Sequence, residues 1–299
     1  MNLVDRRWRL FFFLLCAAFF ASSAATDGKS GRALRLPAVH VGQKFVYRIR
    51  YQIKKVTRAE SRIATPPFPE GHDSDTERWL SVEIKSIEGP RIAMRTRLLP
   101  AGGTAQTAQQ DQVVEFTLLE DGRASDLRGF DLLSPEEQGV WRQWLTQFAL
   151  GWTFPPKGIK PGVKWDKQEP VLGAALDKLE WEKQYEYVRN EACPQRGDSG
   201  NAVKAGQCAV VVTTTTMKQH GPRDDATPED YKVRQLKTSG TAKGKSQVIT
   251  FISLETGFVE RAVEDSAQTL DVLIAKADDS NKAHFNVDAT SHAEVVLLQ

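Results

Sequence analysis

The sequence has few of the residues that build catalytic or metal centres, with only five histidines and three cysteines among 299 residues. No histidine belongs to an H-E-x-x-H pattern and no cysteine to a C-x-x-C pair, so the ligand spacings of common zinc sites are missing. The sequence also lacks an Asn-x-Ser/Thr sequon. We therefore predict no metal site, no cofactor and no catalytic residues, and we expect a protein that is not an enzyme.

The first 25 residues have the pattern of a secretory signal peptide. Arg6, Arg7 and Arg9 form a basic segment, Leu10 to Phe20 form an apolar run of 11 residues, and Ser23-Ala24-Ala25 offers a cleavage site. This run is too short to span a bilayer as a helix. We expect export to the periplasm or the extracellular space of a bacterium. Two alternatives stay open: a twin-arginine signal at Arg6-Arg7, and an uncleaved anchor that gives membrane contact through this segment alone.

Charge composition excludes one class of partner. The formal net charge of the whole chain is +2, from 40 Lys and Arg against 38 Asp and Glu. Residues 1–25 hold three Arg and one Asp, so their removal leaves 37 basic and 37 acidic residues. A mature chain of zero net charge predicts no nucleic-acid partner and no polybasic membrane patch.

Removal of the signal segment also leaves only two cysteines, Cys193 and Cys208. An exported protein is exposed to oxidising conditions, so we predict a disulfide between them. The alternative is a pair of separate free thiols.

The remaining chain has the alternating pattern of β-strands. Apolar residues recur with a period of two between Phe45 and Val56, and Glu88-Gly89-Pro90 separates two further strand patterns as a hairpin turn would. The pattern predicts a mainly β fold, with antiparallel meander sheets that form a half-barrel or a sandwich.

Two pairs of segments are similar to each other, which indicates an internal repeat. Residues 41–45 resemble residues 161–165, and residues 113–122 align without gaps to residues 248–257. We predict two related β units, residues 26–133 and 152–299. The first carries a Pro-rich loop at 57–75, and the second a loop closed by the disulfide. The alternative is that such short motifs recur wherever a strand meets a turn.

One amphipathic helix is predicted between the units, over about residues 135–150 of a linking segment 134–151. Ser134 is in position to cap it, Pro135 is at its first turn, and Gly151 is placed to end it. Its apolar stripe comprises Val140, Trp141, Trp144, Leu145 and Phe148. These side chains either pack on a sheet or line an apolar cavity, and Trp141, Trp144 and Phe148 are our candidate ligand contacts.

Three short segments have some chemical character. His72, Asp73 and Asp75 form the one local cluster with ligand or hydrolytic character. Residues 196–199 read Arg-Gly-Asp-Ser, an integrin-type tripeptide, and Gly197-Asp198-Ser199-Gly200 resembles the nucleophile segment of chymotrypsin-like proteases without that family's histidine setting. Residues 240–246 resemble a phosphate-binding loop that is one residue short, and we predict a lysine-rich hairpin tip there.

The signal peptide, the paired Gly-x-Lys-aromatic strand entries, the Glu-x-Gly turns and the Trp-rich helix together resemble uncharacterised secreted β-rich proteins of bacterial envelopes. The architecture is also similar to lipoprotein-carrier half-barrels, in which a curved antiparallel sheet wraps helices over an apolar cavity. This resemblance covers most of the chain in pattern and implies no catalytic residues.

Three functions follow as hypotheses. The first is a non-enzymatic binding or scaffold protein of the bacterial envelope, with an apolar ligand on the concave sheet face or an envelope protein as partner. The second is an extracytoplasmic hydrolase whose site forms only in three dimensions around the His72 cluster. The third is a surface adhesion module that presents residues 196–199.

Overall fold

A computed structural model describes residue 34 and residues 37–61, 71–99, 112–154, 158–171, 174–194, 206–279 and 281–298. The predicted signal peptide, residues 1–25, lies outside this part of the chain.

The described residues form one antiparallel sheet of 11 strands in the order β5-β4-β3-β2-β1-β11-β10-β9-β8-β7-β6. Strands that follow each other in the chain pair with each other, except β5 and β6, which form the two edges of the sheet. The first and last strands, β1 and β11, also pair with each other. The sequence prediction of a mainly β antiparallel meander is confirmed. The strand bounds are β1 Lys44–Ser61, β2 Gly71–Glu88, β3 Arg91–Leu99, β4 Gln112–Leu118, β5 Ala124–Arg128, β6 Lys164–Pro170, β7 Leu179–Ala192, β8 Gln207–Gln219, β9 Leu236–Ser253, β10 Val259–Lys276 and β11 Ala283–Leu297.

The β1–β11 pairing joins the two predicted units into one continuous sheet rather than two packed sheets. The register runs from Tyr47 opposite Leu297 to Ser61 opposite Ala283. The predicted loop at 57–75 is also shorter than expected, since residues 57–61 continue β1 and residues 71–75 begin β2. Backbone pairing with β11 and β2 extends both strands beyond the point where proline and glycine content indicated a loop.

The sheet is open but strongly curved. The Lys167 ammonium group in β6 lies 3.0 Å from the carbonyl oxygen of Asp121, just after β4. Nine strand spacings separate β4 from β6 in the sheet order, which is roughly 40 Å in a flat sheet. The contact therefore requires the sheet to bend back towards itself, with one concave and one convex face.

The two turns that precede β1 and β6 make the same backbone hydrogen bonds. In each, a glycine and the residue after it bond to the backbone of one residue in the strand that pairs next to β1 or β6, which is β2 or β7. A register shift comes directly after that residue. The bonds are Gly42 N–H to Ile84 O (2.9 Å), Ile84 N–H to Gln43 O (3.0 Å), Gly162 N–H to Tyr187 O (2.6 Å) and Tyr187 N–H to Val163 O (3.0 Å). These matched turns are consistent with two related units, and the internal repeat stays a prediction.

Helix α1, Pro135–Phe148, crosses the concave face. It begins where the capping sequence predicts, because the Ser134 hydroxyl accepts the Glu137 N–H over 3.3 Å and the Glu137 carboxylate accepts the Ser134 N–H over 3.0 Å. It ends two residues earlier than expected and continues as a 3-10 turn over Ala149–Trp152. A second, short helix, α2, covers Glu229–Val233.

The apolar residues of α1 fill the concave face of the first strands. Phe116 in β4 makes edge contacts with Trp141 and Trp144, at centroid distances of 5.2 and 6.2 Å. Tyr47 in β1 makes an edge contact with Phe148 at 6.1 Å. This packing is the main core of the protein, and the helix covers one end of the curved sheet.

A second, smaller apolar cluster lies on strands β7 to β10, at the end of the sheet that is far from helix α1. Leu176 and Ala226, from the connections before β7 and before β9, are buried against Leu179, Ala242 and Val272. The concave face therefore has an apolar cover at both ends.

Ion pairs cross the strands on the convex face. Asp75 accepts hydrogen bonds from Arg50 over 2.7 Å and from Gln52 over 2.8 Å. These bonds, with that from Arg50 as the largest influence, lower the pKa of Asp75 from 3.8 to about 2.

We expect Arg50→Gln to raise the pKa of Asp75 towards 3.8, as measured by the carboxyl 13C shift during an NMR titration. A lowered pKa means that the pair supports folding above the ordinary carboxyl pKa and loses this contribution as the pH falls towards 2. Arg58→Gln is the matched control, because Arg58 lies on the same strand as Arg50 and pairs with Asp288 of β11 at 3.3 Å, not with Asp75. A wild-type Asp75 that titrates at its ordinary pKa would contradict the assignment.

Candidate functional site

The three candidate ligand contacts of the helix lie in the core. Trp141, Trp144 and Phe148 are each at most 2% exposed. The indole N–H of Trp141 donates to the Thr96 hydroxyl over 2.9 Å, and Trp144 lies 4.9 Å from Phe148 between ring centroids. These side chains contact protein on the concave face, and their role as ligand contacts stays a prediction.

Between the two apolar clusters, a row of in-register residues crosses the concave face. Strand pairing places these residues side by side on eight consecutive strands, from β6 to β2. In order they are Lys167, Lys183, Thr215, Ser246, Ser266, Ser291, Ile53 and Ser74. Four adjacent members carry hydroxyl groups, and we name Thr215, Ser246, Ser266 and Ser291 the hydroxyl row. It extends over roughly 15 Å at ordinary strand spacing.

The hydroxyl row is polar and only partly covered. Ser246, Ser266 and Ser291 are half-buried, whereas Thr215 is 7% exposed. The hydroxyl groups of Ser266 and Ser291 are 2.8 Å apart, within hydrogen-bond distance. Since hydroxyl groups both donate and accept, this row can bind polar atoms of a ligand along its length.

Helix α1 reaches one row short of the hydroxyl row. Gln143 and Gln147 both donate to the Glu264 carboxylate, and Gln147 accepts from Thr250 over 3.3 Å. Ala293 pairs with Tyr51 on one side and with Glu264 on the other, so all three lie in one register row. Burial raises the pKa of Tyr51, and a hydrogen bond to Ser291 opposes this shift. The polar side of the helix thus forms one wall of the uncovered band.

An aromatic ring forms the opposite wall. A Cβ atom on Gly244 in β9 would lie 2.7 Å from Cη2 and 2.9 Å from Cζ3 of the Trp181 indole. Trp181 in β7 therefore lies directly on the Gly244 backbone. Trp181 is half-buried, and it is two residues from Lys183 on β7, so it borders the band on this side.

The β6 end of the row carries two lysines and one carboxylate. Lys167 and Lys183 are directly opposite each other on β6 and β7. Glu169 lies 2.8 Å from the Lys167 ammonium and 2.5 Å from that of Lys183. Beside them, Trp165 stacks on Tyr185 with a centroid distance of 5.0 Å, and burial raises the pKa of Tyr185.

A separate depression of about 500 Å³ is lined by β6, β7 and β8. Most of its residues alternate to the convex face, among them Lys164, Asp166, Glu182 and Glu186. It contains no residue of the hydroxyl row, but Lys167 and Lys183 also line it.

The predicted hydrolytic cluster does not form a cleft in the described residues. Asp73 and Asp75 are exposed on the convex face of β2, and Asp75 is bound by Arg50 and Gln52. The side chain of His72 lies outside the described part of the chain, as do residues 196–199 of the adhesion motif. Among the described residues, no group of three His, Cys, Asp or Glu side chains is placed to hold a metal ion.

The predicted hairpin tip at 240–246 is wrong, because these residues lie within strand β9. The glycines of this segment indicated a turn. In the structure they are needed because a larger residue would be too close to neighbouring groups. A Cβ atom on Gly240 would lie 2.0 Å from the Asp271 carbonyl oxygen of β10, and Gly244 lies beneath Trp181.

Sequence reasoning missed the hydroxyl row and the lysine pair. The six residues come from six strands between positions 167 and 291, and no local pattern connects them. A signal existed in the alternation of β8 and β9. Hydroxyl residues of β8, and Ser246 of β9, occupy the same alternating positions as the apolar core residues of these strands and therefore lie on the same face.

Comparisons with known proteins give little similarity. No protein-family model matches the chain, and no curated protein matches it. Among solved structures, the chain is similar to the outer membrane protein OprG from Pseudomonas aeruginosa, with 8% sequence identity and a TM-score of 0.19 over 89% of this chain and 98% of that chain. A likeness at this TM-score supports no conclusion on fold or function. No helix among the described residues is long and apolar enough to cross a membrane.

Proposed function

We propose that this chain is a non-enzymatic binding protein of the bacterial cell envelope that holds a small ligand on the concave face of its sheet. The ligand lies along the hydroxyl row, between helix α1 and Trp181, rather than against the helix aromatics. The observation that carries this proposal is the partly exposed band of hydroxyl groups between two apolar clusters.

Burial energetics support a ligand in this position. An inward-facing row that served only to stabilise the fold would be expected to continue the apolar packing found on both sides of it. Hydroxyl groups there gain little from burial and need hydrogen-bond partners. Small side chains also leave space between the helix and Trp181, which a ligand with polar atoms can fill.

The disulfide supports a location outside the cytoplasm. The Cys193–Cys208 bond closes a loop with a sequence separation of 15 residues, as predicted from the cysteine count. Disulfides persist mainly in oxidising compartments, in agreement with the signal-peptide pattern of residues 1–25.

Native mass spectrometry of the full chain, expressed in a bacterium with residues 1–25 in place, tests the proposal. We expect the exported wild-type protein to carry the additional mass of a non-covalent ligand. Ser246→Trp places an indole in the middle of the hydroxyl row, so this variant should lose that mass.

Gln247→Trp is the matched control, because Gln247 is the next residue of β9 and is exposed on the convex face. It should keep the ligand, and circular dichroism should give the same spectrum for both variants. A wild-type protein with only the mass of the polypeptide, or a ligand that Ser246→Trp retains, would overturn the proposal and leave a scaffold function.

A further inference from the structure

The lysine pair at the β6 end of the row is costly as a purely structural feature. Lys167 and Lys183 are in register on adjacent strands, and like charges directly opposite each other destabilise a sheet. Their side chains are only 25% and 16% exposed, so water screens this repulsion poorly.

One carboxylate is shared between the two ammonium groups. Burial opposes ionisation of Glu169, but the charge of Lys183 and hydrogen bonds from both lysines outweigh it and lower the pKa of Glu169. Glu169 is therefore ionised at neutral pH, and it compensates one of the two positive charges.

Among the described residues, the neighbouring groups do not cancel the second charge. Lys167 also donates to the carbonyl oxygen of Asp121, which is a neutral group. The Asp121 carboxylate pairs with Arg123 at 2.5 Å, so these two charges balance each other. The cluster of Lys167, Lys183, Arg123, Glu169 and Asp121 has a surplus of one positive charge in a partly desolvated position.

This surplus adjoins the hydroxyl row. Lys183 is directly opposite Thr215, the first hydroxyl residue of the row. Ammonium groups only donate hydrogen bonds, and hydroxyl groups can donate as well. Together they suit an acceptor-only group with negative charge, since charge-assisted hydrogen bonds are stronger than neutral ones.

We propose that Lys167 and Lys183 bind an anionic oxygen group, a phosphate or a carboxylate, at one end of the ligand that lies along the hydroxyl row. The half-buried indole of Trp181 covers the side of this subsite away from Tyr185. This inference rests on the proposed function, because it identifies the chemistry of a ligand on the same band.

The test compares three probes with the same octyl chain: octyl phosphate, nonanoate and octyl glucoside. Binding of each to the purified full chain is measured by isothermal titration calorimetry below the micelle concentration. We expect an anionic probe to bind at least about tenfold more tightly than octyl glucoside. The tighter of the two anionic probes identifies the group as phosphate or carboxylate.

Lys167→Gln removes the surplus charge and leaves the Lys183–Glu169 pair intact, so we expect this variant to fold and to lose the preference for the anionic probe. Lys183→Gln, which leaves the Lys167–Glu169 pair, should have the same effect. Lys164→Gln is the control, because Lys164 lies on the convex face of the same strand, is 70% exposed and pairs with Glu186. Its affinities should stay within about twofold of wild type.

Equal affinities for anionic and neutral probes, no binding of any probe, or an equal loss in Lys164→Gln would each overturn the anionic subsite. None of these results decides whether the band holds a ligand. That question is answered by the mass spectra of wild type and Ser246→Trp, so the two proposals can fail independently.

Discussion

Trp144→Ala is expected to lower the free energy of unfolding by about 3–5 kcal/mol, the usual range for a buried tryptophan reduced to alanine. Trp144 is fully buried and lies at the junction of the helix with β1 and β4. Its ring contacts those of Tyr47, Phe116, Trp141 and Phe148, so the truncation leaves a cavity that four aromatic neighbours surround. Urea denaturation followed by circular dichroism measures the loss.

Two further variants separate packing from other causes. The Trp144 indole nitrogen is buried without a hydrogen-bond partner among the described residues, so Trp144→Phe removes ring volume and no hydrogen bond. It should cost less than half as much as the alanine variant. Leu132→Ala, just before the helix, removes a side chain that is 82% exposed and should be nearly neutral. A loss in Trp144→Ala no greater than that in Leu132→Ala would contradict the assignment of Trp144 to the main core.

Removal of the disulfide is expected to have the second large effect. The double variant Cys193→Ala/Cys208→Ala frees a loop with a sequence separation of 15 residues. In the chain-entropy model a loop of this length contributes about 3 kcal/mol, because the bond restricts the unfolded chain. Denaturation midpoints of the oxidised wild type and the double variant measure the difference.

Reduced wild type is the internal control for this variant. If the bond acts through the unfolded state, dithiothreitol should lower wild-type stability to about that of the double variant and leave the variant itself unchanged. Cys208 is fully buried, so alanine there also loses some packing. Equal stability of oxidised and reduced wild type would show that the bond contributes nothing to folding.

The parts of the fold that depend on local chemistry could be predicted. The start of α1 follows from Ser134 and Glu137, whose side chains and backbone groups are three residues apart and bond to each other. Alternating apolar residues likewise predicted β1, because a strand exposes successive side chains on opposite faces. The cysteine pairing followed from a count of two and the chemistry of an oxidising compartment.

The candidate site could not be predicted in this way. Lys167 and Lys183 are 16 positions apart, and Ser246 and Ser291 are 45 apart, yet register aligns all four. A shift of one residue in any strand would turn its side chain to the convex face. The hairpin predicted for Gly240 to Ser246 was wrong for a related reason. The glycines are required by close contacts with neighbouring strands, and the local sequence does not specify which strands these are.

By itself, the sequence determined the class of fold, the helix with its aromatic stripe and the disulfide, because capping, strand alternation and thiol chemistry act over short distances or depend on counts. Only the tertiary structure decided that β1 pairs with β11, that Trp141, Trp144 and Phe148 lie in the core, and that four hydroxyl groups and two lysines meet on one face. These features depend on which strands become neighbours and in which register, and that choice is made by the burial of the whole concave face at once.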